Sequence, residues 1–266
     1  MLPSKDFFQR YARERNIPWQ EKNILVEYLQ TKILKTLSMS AFNDVISFLG
    51  GTCLRFVHGI DRFSEDLDFD LMKKDGFRIE NLASEIERRL SLEGFELDIK
   101  IKTTENIHIV FFKFKNVLRD FGFSVLKDEK LLVKFEIDFN PYRNVHTETR
   151  FTDSFNERFP ILVNTKETLF AQKVLAIFFR PYQKGRDFYD LVWFLSQKNL
   201  EPNYDIFTEK NIPASNRKEL IALLSAKIAE TDLAQAAKDV EPFLFYPEHA
   251  RWIVKLPEYL KGFEGE

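Results

Sequence analysis

The sequence predicts an α+β protein, with strands and amphipathic helices interleaved over residues 1–164 and helices alone over residues 165–266. Three observations carry this. Leu67, Phe69 and Leu71 alternate with Asp66, Asp68 and Asp70, and Leu131, Val133, Phe135 and Ile137 alternate with polar Lys134, Glu136 and Asp138. A period of two belongs to a strand with one buried face. Apolar residues at 24, 25, 28, 29, 33, 34 and 37 recur instead at three- and four-residue spacing, the signature of a helix packed along one stripe. Around Asn164 the character changes, and the segments beyond it read as helices punctuated by Pro202, Pro213, Pro242, Pro247 and Pro257.

Taken in order, residues 4–15 form a short helix with Phe7, Phe8 and Tyr11 on one side and Arg10, Arg13 and Arg15 around the rest. Pro18 opens the longer helix, which runs to about Ser40 with lysines between its apolar positions. These basic residues read as a solvated face, with an RNA-binding arm as the alternative. Residues 45–49 are a short apolar strand closing on Gly50-Gly51-Thr52, a turn from which 53–57 continue as a helix. The acidic strand 66–71 follows and ends before Asp75-Gly76. Ile79, Leu82, Ile86 and Leu90 mark a helix that Gly94 can terminate, and strands are expected at 95–101, 107–114 and 131–139. Asn164-Thr165-Lys166-Glu167 resembles a capping box ahead of a helix over 169–180, which Pro181 stops. Further helices start at Arg186 and Arg217.

Composition sets the outer limits. A chain of 266 residues with 44% apolar residues can bury one large core or two modest ones, and 28 phenylalanines make that core Phe-rich. The net charge of −2 supplies no global field, so an anionic partner has to meet a local basic patch. The single cysteine, Cys53, forms no intrachain disulfide. The first sixteen residues lack the apolar core of a signal peptide, and no apolar run approaches the ~18 residues of a membrane span. A soluble, cytoplasmic protein without a membrane partner is the expectation.

The chemistry concentrates in residues 48–71. Three aspartates on one strand face repel one another unless cations neutralise them, which points to divalent metal held by oxygen ligands. The strand near residue 136 also carries its carboxylates on one face, so two neighbouring strands can supply Asp66 and Asp68 together with Glu136 or Asp138. That set suits two-metal phosphoryl transfer. Gly50-Gly51-Thr52 lets the backbone approach a ligand closely at a helix N-terminus, where free N–H groups and the positive dipole end favour phosphate. Arg55 and Arg62 are candidate phosphate ligands, although Arg62 could instead pair with Asp66 or Glu65. Lys173 lies beside an apolar stripe and can either reach water or serve as a point-charge clamp.

In that order, GGTCLR, RFSEDLDFD, KFEID, ETLFAQK and KGRDFYDL resemble the AbiEii/AbiGii-type toxin nucleotidyltransferases, a branch of the DNA polymerase β-like superfamily. The motifs run from Gly50 to Leu191, about half of the chain. The resemblance implies a polymerase β-like mixed sheet with flanking helices in residues 1–164, and a C-terminal helical bundle over 165–266 that completes the active site. It implies Mg²⁺-dependent transfer of a nucleoside monophosphate from an NTP to an acceptor hydroxyl, with the tRNA 3′ end as acceptor, by a toxin that has a cognate antitoxin or acts in phage defence. Two Mg²⁺ ions are implied, with Mn²⁺ as an alternative.

Carried over by position, Asp66 and Asp68 are the paired metal ligands, Glu136 or Asp138 is the third acid, Lys173 contacts phosphate and Asp187 is the acid of the last motif. Gly50, Gly51, Thr52, Arg55, Arg62, Ser64 and Lys173 make up the nucleotide-binding set. Asp70 lies beyond the usual pair and ranks below Asp66 and Asp68, as a group that supports the ligands, and the role of Asp190 is open. Nucleotidylation of a protein, an NTP-binding regulator without turnover and a metal-dependent nuclease are the rival readings.

Overall fold

The computed structural model describes residues 2–124 and 129–263, and the chain divides into two units. The first comprises residues 1–59, 63–141 and 147–163; the second comprises 60–62, 142–146 and 164–266.

The first unit opens with helices α1 (Lys5–Glu14) and α2 (Glu21–Ser38). Strand β1 (Ile46–Leu49), helix α3 (Gly50–His58) and strand β2 (Asp66–Leu71) follow, then α4 (Ile79–Leu92), β3 (Leu97–Thr103), β4 (Ile107–Phe114), the single turn α5 (Val117–Asp120) and β5 (Leu131–Asp138). Strands β6 (Thr147–Ser154) and β7 (Glu157–Asn164) complete a seven-stranded mixed sheet of order β3-β4-β5-β2-β1-β7-β6. β2 is parallel to β5 and antiparallel to β1, while β4 is antiparallel to both of its neighbours, β3 and β5.

Alternation decides which side of this sheet is core. Leu67, Phe69, Val110, Phe112, Phe114, Val133, Phe135 and Ile137 are all buried. Their rings interlock, with Phe69 stacked on Phe135 at 4.3 Å, Phe48 at 5.3 Å from Phe69 and Phe112 edge-on to Phe135 at 6.0 Å. Each fully buried Phe contributes about 1.5–3 kcal/mol of transfer free energy. Tyr28 of α2 continues the cluster through Phe95, which meets Phe114 at 5.7 Å, so α2 lies on the apolar face. α2 buries eleven residues, including Glu27, Gln30 and Thr31.

The strands at 147–164 escape the sequence patterns for identifiable reasons. β6 reads TETRFTDS, polar on both faces, and has neighbours on one side only. β7 contains Pro160, which argues against a strand because it cannot donate to a ladder. The short β1 is in register with β7 at Phe48 and Val163, and Pro160 lies beyond that pairing.

The second unit contains α6 (Lys166–Phe179), α7 (Gly185–Leu195), α8 (Tyr204–Glu209), α9 (Arg217–Ala229), α10 (Leu233–Val240), α11 (Arg251–Val254) and α12 (Leu256–Phe263). The cap of α6 is Thr165, whose side chain accepts from Thr168 N–H, and not Asn164. Phe170 and Phe194 stack at 4.8 Å to join α6 and α7. Gly185 is required by packing: a Cβ there would fall inside the Ala236 carbonyl of α10. Its N–H donates to Asp239 at 2.7 Å. No helix among the described residues is long and apolar enough to cross a membrane.

Candidate active site

Strand register builds the site. Asp66 stands beside Lys134, Asp68 beside Glu136 and Asp70 beside Asp138. Alternation therefore puts Asp66, Asp68, Lys134 and Glu136 on one sheet face, opposite the Phe-rich core. All four are partly exposed, whereas Asp70 is buried. Asp138 accepts from Asn140 N–H at 2.8 Å, which commits it to the turn that ends the strand.

Lys134 is the local counter-charge. Its ammonium lies 2.6 Å from Glu136. Burial pushes Lys134 down, but Glu136 first, then Asp66 and Asp68, hold it above the ordinary lysine value. With Glu136 turned to Lys134, no group of three or more His, Cys, Asp or Glu among the described residues closes around one point. The donor chemistry is nevertheless that of a hard cation: carboxylate oxygens on adjacent strands whose combined field already holds a cation.

The glycine turn is packed directly against these acids. Gly50 has φ +77°, in the left-handed region, and a Cβ on it would collide with the Asp68 carboxylate. Glycine is needed there twice over, for its backbone and for its missing side chain. α3 starts at Gly50 itself, so its N-terminus faces Asp68 without the intervening turn that the sequence suggests. Thr52 is fully buried, and its hydroxyl donates a short hydrogen bond to the backbone carbonyl of Asp66. The glycine turn and the start of the acidic strand are thereby tied together.

Two α2 residues that the sequence reading passed over also support this corner. Gln30 donates from Nε2 to the carbonyls of Ser64 at 3.1 Å and Glu65 at 2.8 Å, bracing the entry into β2. Glu27 accepts from Arg55 Nε at 2.8 Å. Burial pushes the Glu27 carboxyl up, and Arg55 opposes the shift. The available signal was their position, Glu27 three residues after Ile24 and Gln30 three and four before Ile33 and Leu34, which puts both at helical spacing among the apolar residues.

A match to a family model described as "Nucleotidyl transferase AbiEii toxin, Type IV TA system" spans residues 32–255. The chain belongs to this family. Membership makes it a nucleotidyltransferase and implies an NTP substrate and an antitoxin. The fold is similar to that of MenT4, a nucleotidyltransferase toxin from Mycobacterium tuberculosis, with TM-score 0.60 and 16% identity over 97% of this chain and 89% of that one. A putative nucleotidyltransferase from Helicobacter pylori gives TM-score 0.57 and 20% identity over 92% and 96%. JHP933 from Helicobacter pylori gives 0.56 and 19% over 92% and 93%. No curated protein sequence matches the chain.

The remaining motif residues of this AbiEii-family chain lie in the second unit, where they form a buried ion cluster. Arg62 pairs with Asp190 through two bonds of 2.7 Å, both side chains being at most 1% exposed. Its partner in this pair is 128 residues distant in sequence. Lys173 lies 2.9 Å from Asp187 and 2.8 Å from Asp190, and Arg180 lies 2.6 Å from Asp187. Burial pushes Asp190 up, but Arg62 and Lys173 hold it below the ordinary carboxylate value. Arg62 and Lys173 are both raised in turn: burial lowers each, and the aspartates outweigh it. Asp187 and Asp190 are three residues apart on α7 and so share a helix face, which makes Asp190 as much a part of the motif as Asp187.

Proposed function

We propose that this AbiEii-family chain transfers a nucleoside monophosphate from an NTP to the 3′ hydroxyl of an RNA, with tRNA as the acceptor, in a Mg²⁺-dependent reaction that releases pyrophosphate. The observation that carries the reading is the contact between Gly50, at the N-terminus of α3, and the carboxylate of Asp68. It sets a phosphate-binding backbone directly against a pair of metal-binding acids, which is the adjacency that nucleotidyl transfer uses and that a simple NTP-binding module or a nuclease does not need.

Asp66, Asp68 and Glu136 would hold the metal, with Glu136 exchanging Lys134 for the ion. When bound, two Mg²⁺ ions lower the pKa of the acceptor hydroxyl and neutralise charge on the departing pyrophosphate. The N–H groups of Gly50, Gly51 and Thr52 donate to phosphate oxygens. Thr52 and Gln30 hold the glycine turn, Asp66 and the Ser64–Glu65 segment in one frame, so the acids need little reorganisation as charge develops. Arg55, oriented by Glu27, supplies a further cation on α3.

The test incubates the protein with Mg²⁺, each α-³²P-labelled NTP and total tRNA, alongside Asp66→Ala/Asp68→Ala. RNA labelling that vanishes in the double variant is the expected result and names the nucleotide. Label in a protein band alone would replace the acceptor, and no label despite NTP binding would overturn the transferase reading.

A further inference from the structure

The sheet face that carries the acids continues outward beyond β5 over β4 and β3, where no motif lies. Register fixes what stands on it. One row runs Asp66, Lys134, Phe111, Lys100, and the next runs Asp68, Glu136, Ile109, Lys102. Neighbouring strands are about 4.8 Å apart, so Lys100 and Lys102 stand roughly 14 Å from the aspartates on the same face. Lys113 stands one further position along β4, beside Leu132 and Asp98.

The face therefore has three zones: an acidic end, an apolar middle and a basic edge. The middle is open, with Ile107 40% and Leu132 47% exposed and with Ile109 and Phe111 half-buried. The Phe111 ring makes no ring contact among the described residues. Lys100 and Lys102 are exposed, and neither they nor Lys113 form an ion pair among the described residues. Asp98, the acid on β3, is already neutralised by Lys115 and Lys130, each at 2.6 Å. Three uncompensated cations thus flank an aromatic and aliphatic platform on a chain whose net charge is −2.

We infer that this β3–β4 face is the track for the single-stranded 3′ segment of the RNA acceptor. The inference rests on the proposed transfer to RNA and extends it to the nucleotides that precede the reacting hydroxyl. Lys100, Lys102 and Lys113 neutralise phosphates along the edge, a base stacks on Phe111, and the strand runs across the sheet toward Asp66 and Asp68. Cations along a backbone path with an aromatic platform between them are the elements by which proteins hold unpaired nucleic acid without reading its sequence. A duplex cannot lay its bases on a flat sheet face, so the surface favours unpaired ends. A protein acceptor would have no use for a row of cations ending in a ring.

The experiment measures binding of a 5′-fluorescein-labelled, unstructured 12-nucleotide RNA by anisotropy without NTP, over a range of salt, for the whole chain and for Lys100→Ala/Lys102→Ala/Lys113→Ala. Removing three phosphate contacts lowers the slope of log K against log salt by about 2 and weakens binding at least tenfold at low salt. Phe111→Leu, which keeps apolar bulk and removes the ring, weakens binding about tenfold with the slope unchanged. A blunt RNA duplex of the same sequence binds more weakly than the single strand, and Lys218→Ala, on α9, changes nothing. An unchanged slope in the triple variant, equal binding of the duplex, or labelled protein with no oligonucleotide binding would each overturn the inference. Parallel transfer assays separate the two ideas. RNA labelling with an unaltered KM for RNA in the triple variant removes the track and keeps the transferase, whereas the slope loss without any RNA labelling keeps the track and removes the transferase.

Discussion

Asp190 is the residue whose replacement tests the architecture of the second unit most sharply. Its carboxylate is fully buried and accepts from Arg62 through both oxygens at 2.7 Å and from Lys173 at 2.8 Å. Asp190→Asn keeps the shape and removes the charge that both Arg62 bonds meet, in a site where the guanidinium is less than 2% exposed. Stripping one partner from a buried pair costs about 3–5 kcal/mol, mostly as the desolvation penalty of the charge left behind. For a unit of about 100 residues each kcal/mol is worth roughly 4 °C, so its melting transition falls by about 12–20 °C. Calorimetry of the variant reads this directly. A double-mutant cycle with Arg62→Met assigns the loss to the pair, because the double variant then costs clearly less than the sum of the single ones.

The pH dependence has a definite sign. Asp190 is held below its ordinary value in the fold, so its contribution is present above the unfolded carboxylate pKa of about 3.9 and is lost as pH falls through the lowered folded value. Wild type and variant should therefore differ at neutral pH and converge in acid. A loss under about 1 kcal/mol, or strict additivity in the cycle, would refute the claim that this cluster holds the unit together.

The first unit gives three further expectations. Gly50→Ala forces a side chain into left-handed backbone, at about 1–2 kcal/mol, and into the Asp68 carboxylate; transfer should drop about 100-fold with the circular dichroism spectrum intact, and near-normal activity would contradict the close approach. Asp66→Asn/Asp68→Asn removes neighbouring like charges, so the metal-free melting temperature should hold or rise while the rise on adding Mg²⁺ disappears and transfer falls at least about a thousandfold. Glu136→Gln should suppress activity far more than Asp138→Asn, because Glu136 stands beside Asp68 whereas Asp138 caps the following turn; the reverse order in a labelled-NTP assay would move the third acid to Asp138.

Much of the candidate site is legible in the chain because its devices are local. A period of two places Asp66 and Asp68 on one face whatever the sheet order, and Gly50-Gly51 ahead of an apolar helix announces a close backbone approach. The ordered motifs then carry the family and, with it, the mixed sheet and the helical region. What local pattern misses is equally specific. β6 and β7 hide behind polar residues and Pro160, which become acceptable only because of where the strands lie in the sheet. The hesitation between Glu136 and Asp138 is a register question, since a strand shows which side chains share a face but not which of them stands next to Asp68.

Pairing between distant residues has the same character. Nothing around Arg62 names Asp190 as its partner, and nothing around Gln30 or Glu27 says which loop or which arginine each will hold; burial selects those partners after the chain has folded. By itself the sequence determined the strand and helix periods, the acids, the glycine turn and the family, all of which depend on neighbours a few residues apart. Only the tertiary structure decided the sheet order that sets Asp68 beside Glu136, the close packing of Gly50 on that aspartate, and the buried cluster that joins Arg62 to α6 and α7, because each is a contact between segments whose meeting no local periodicity specifies.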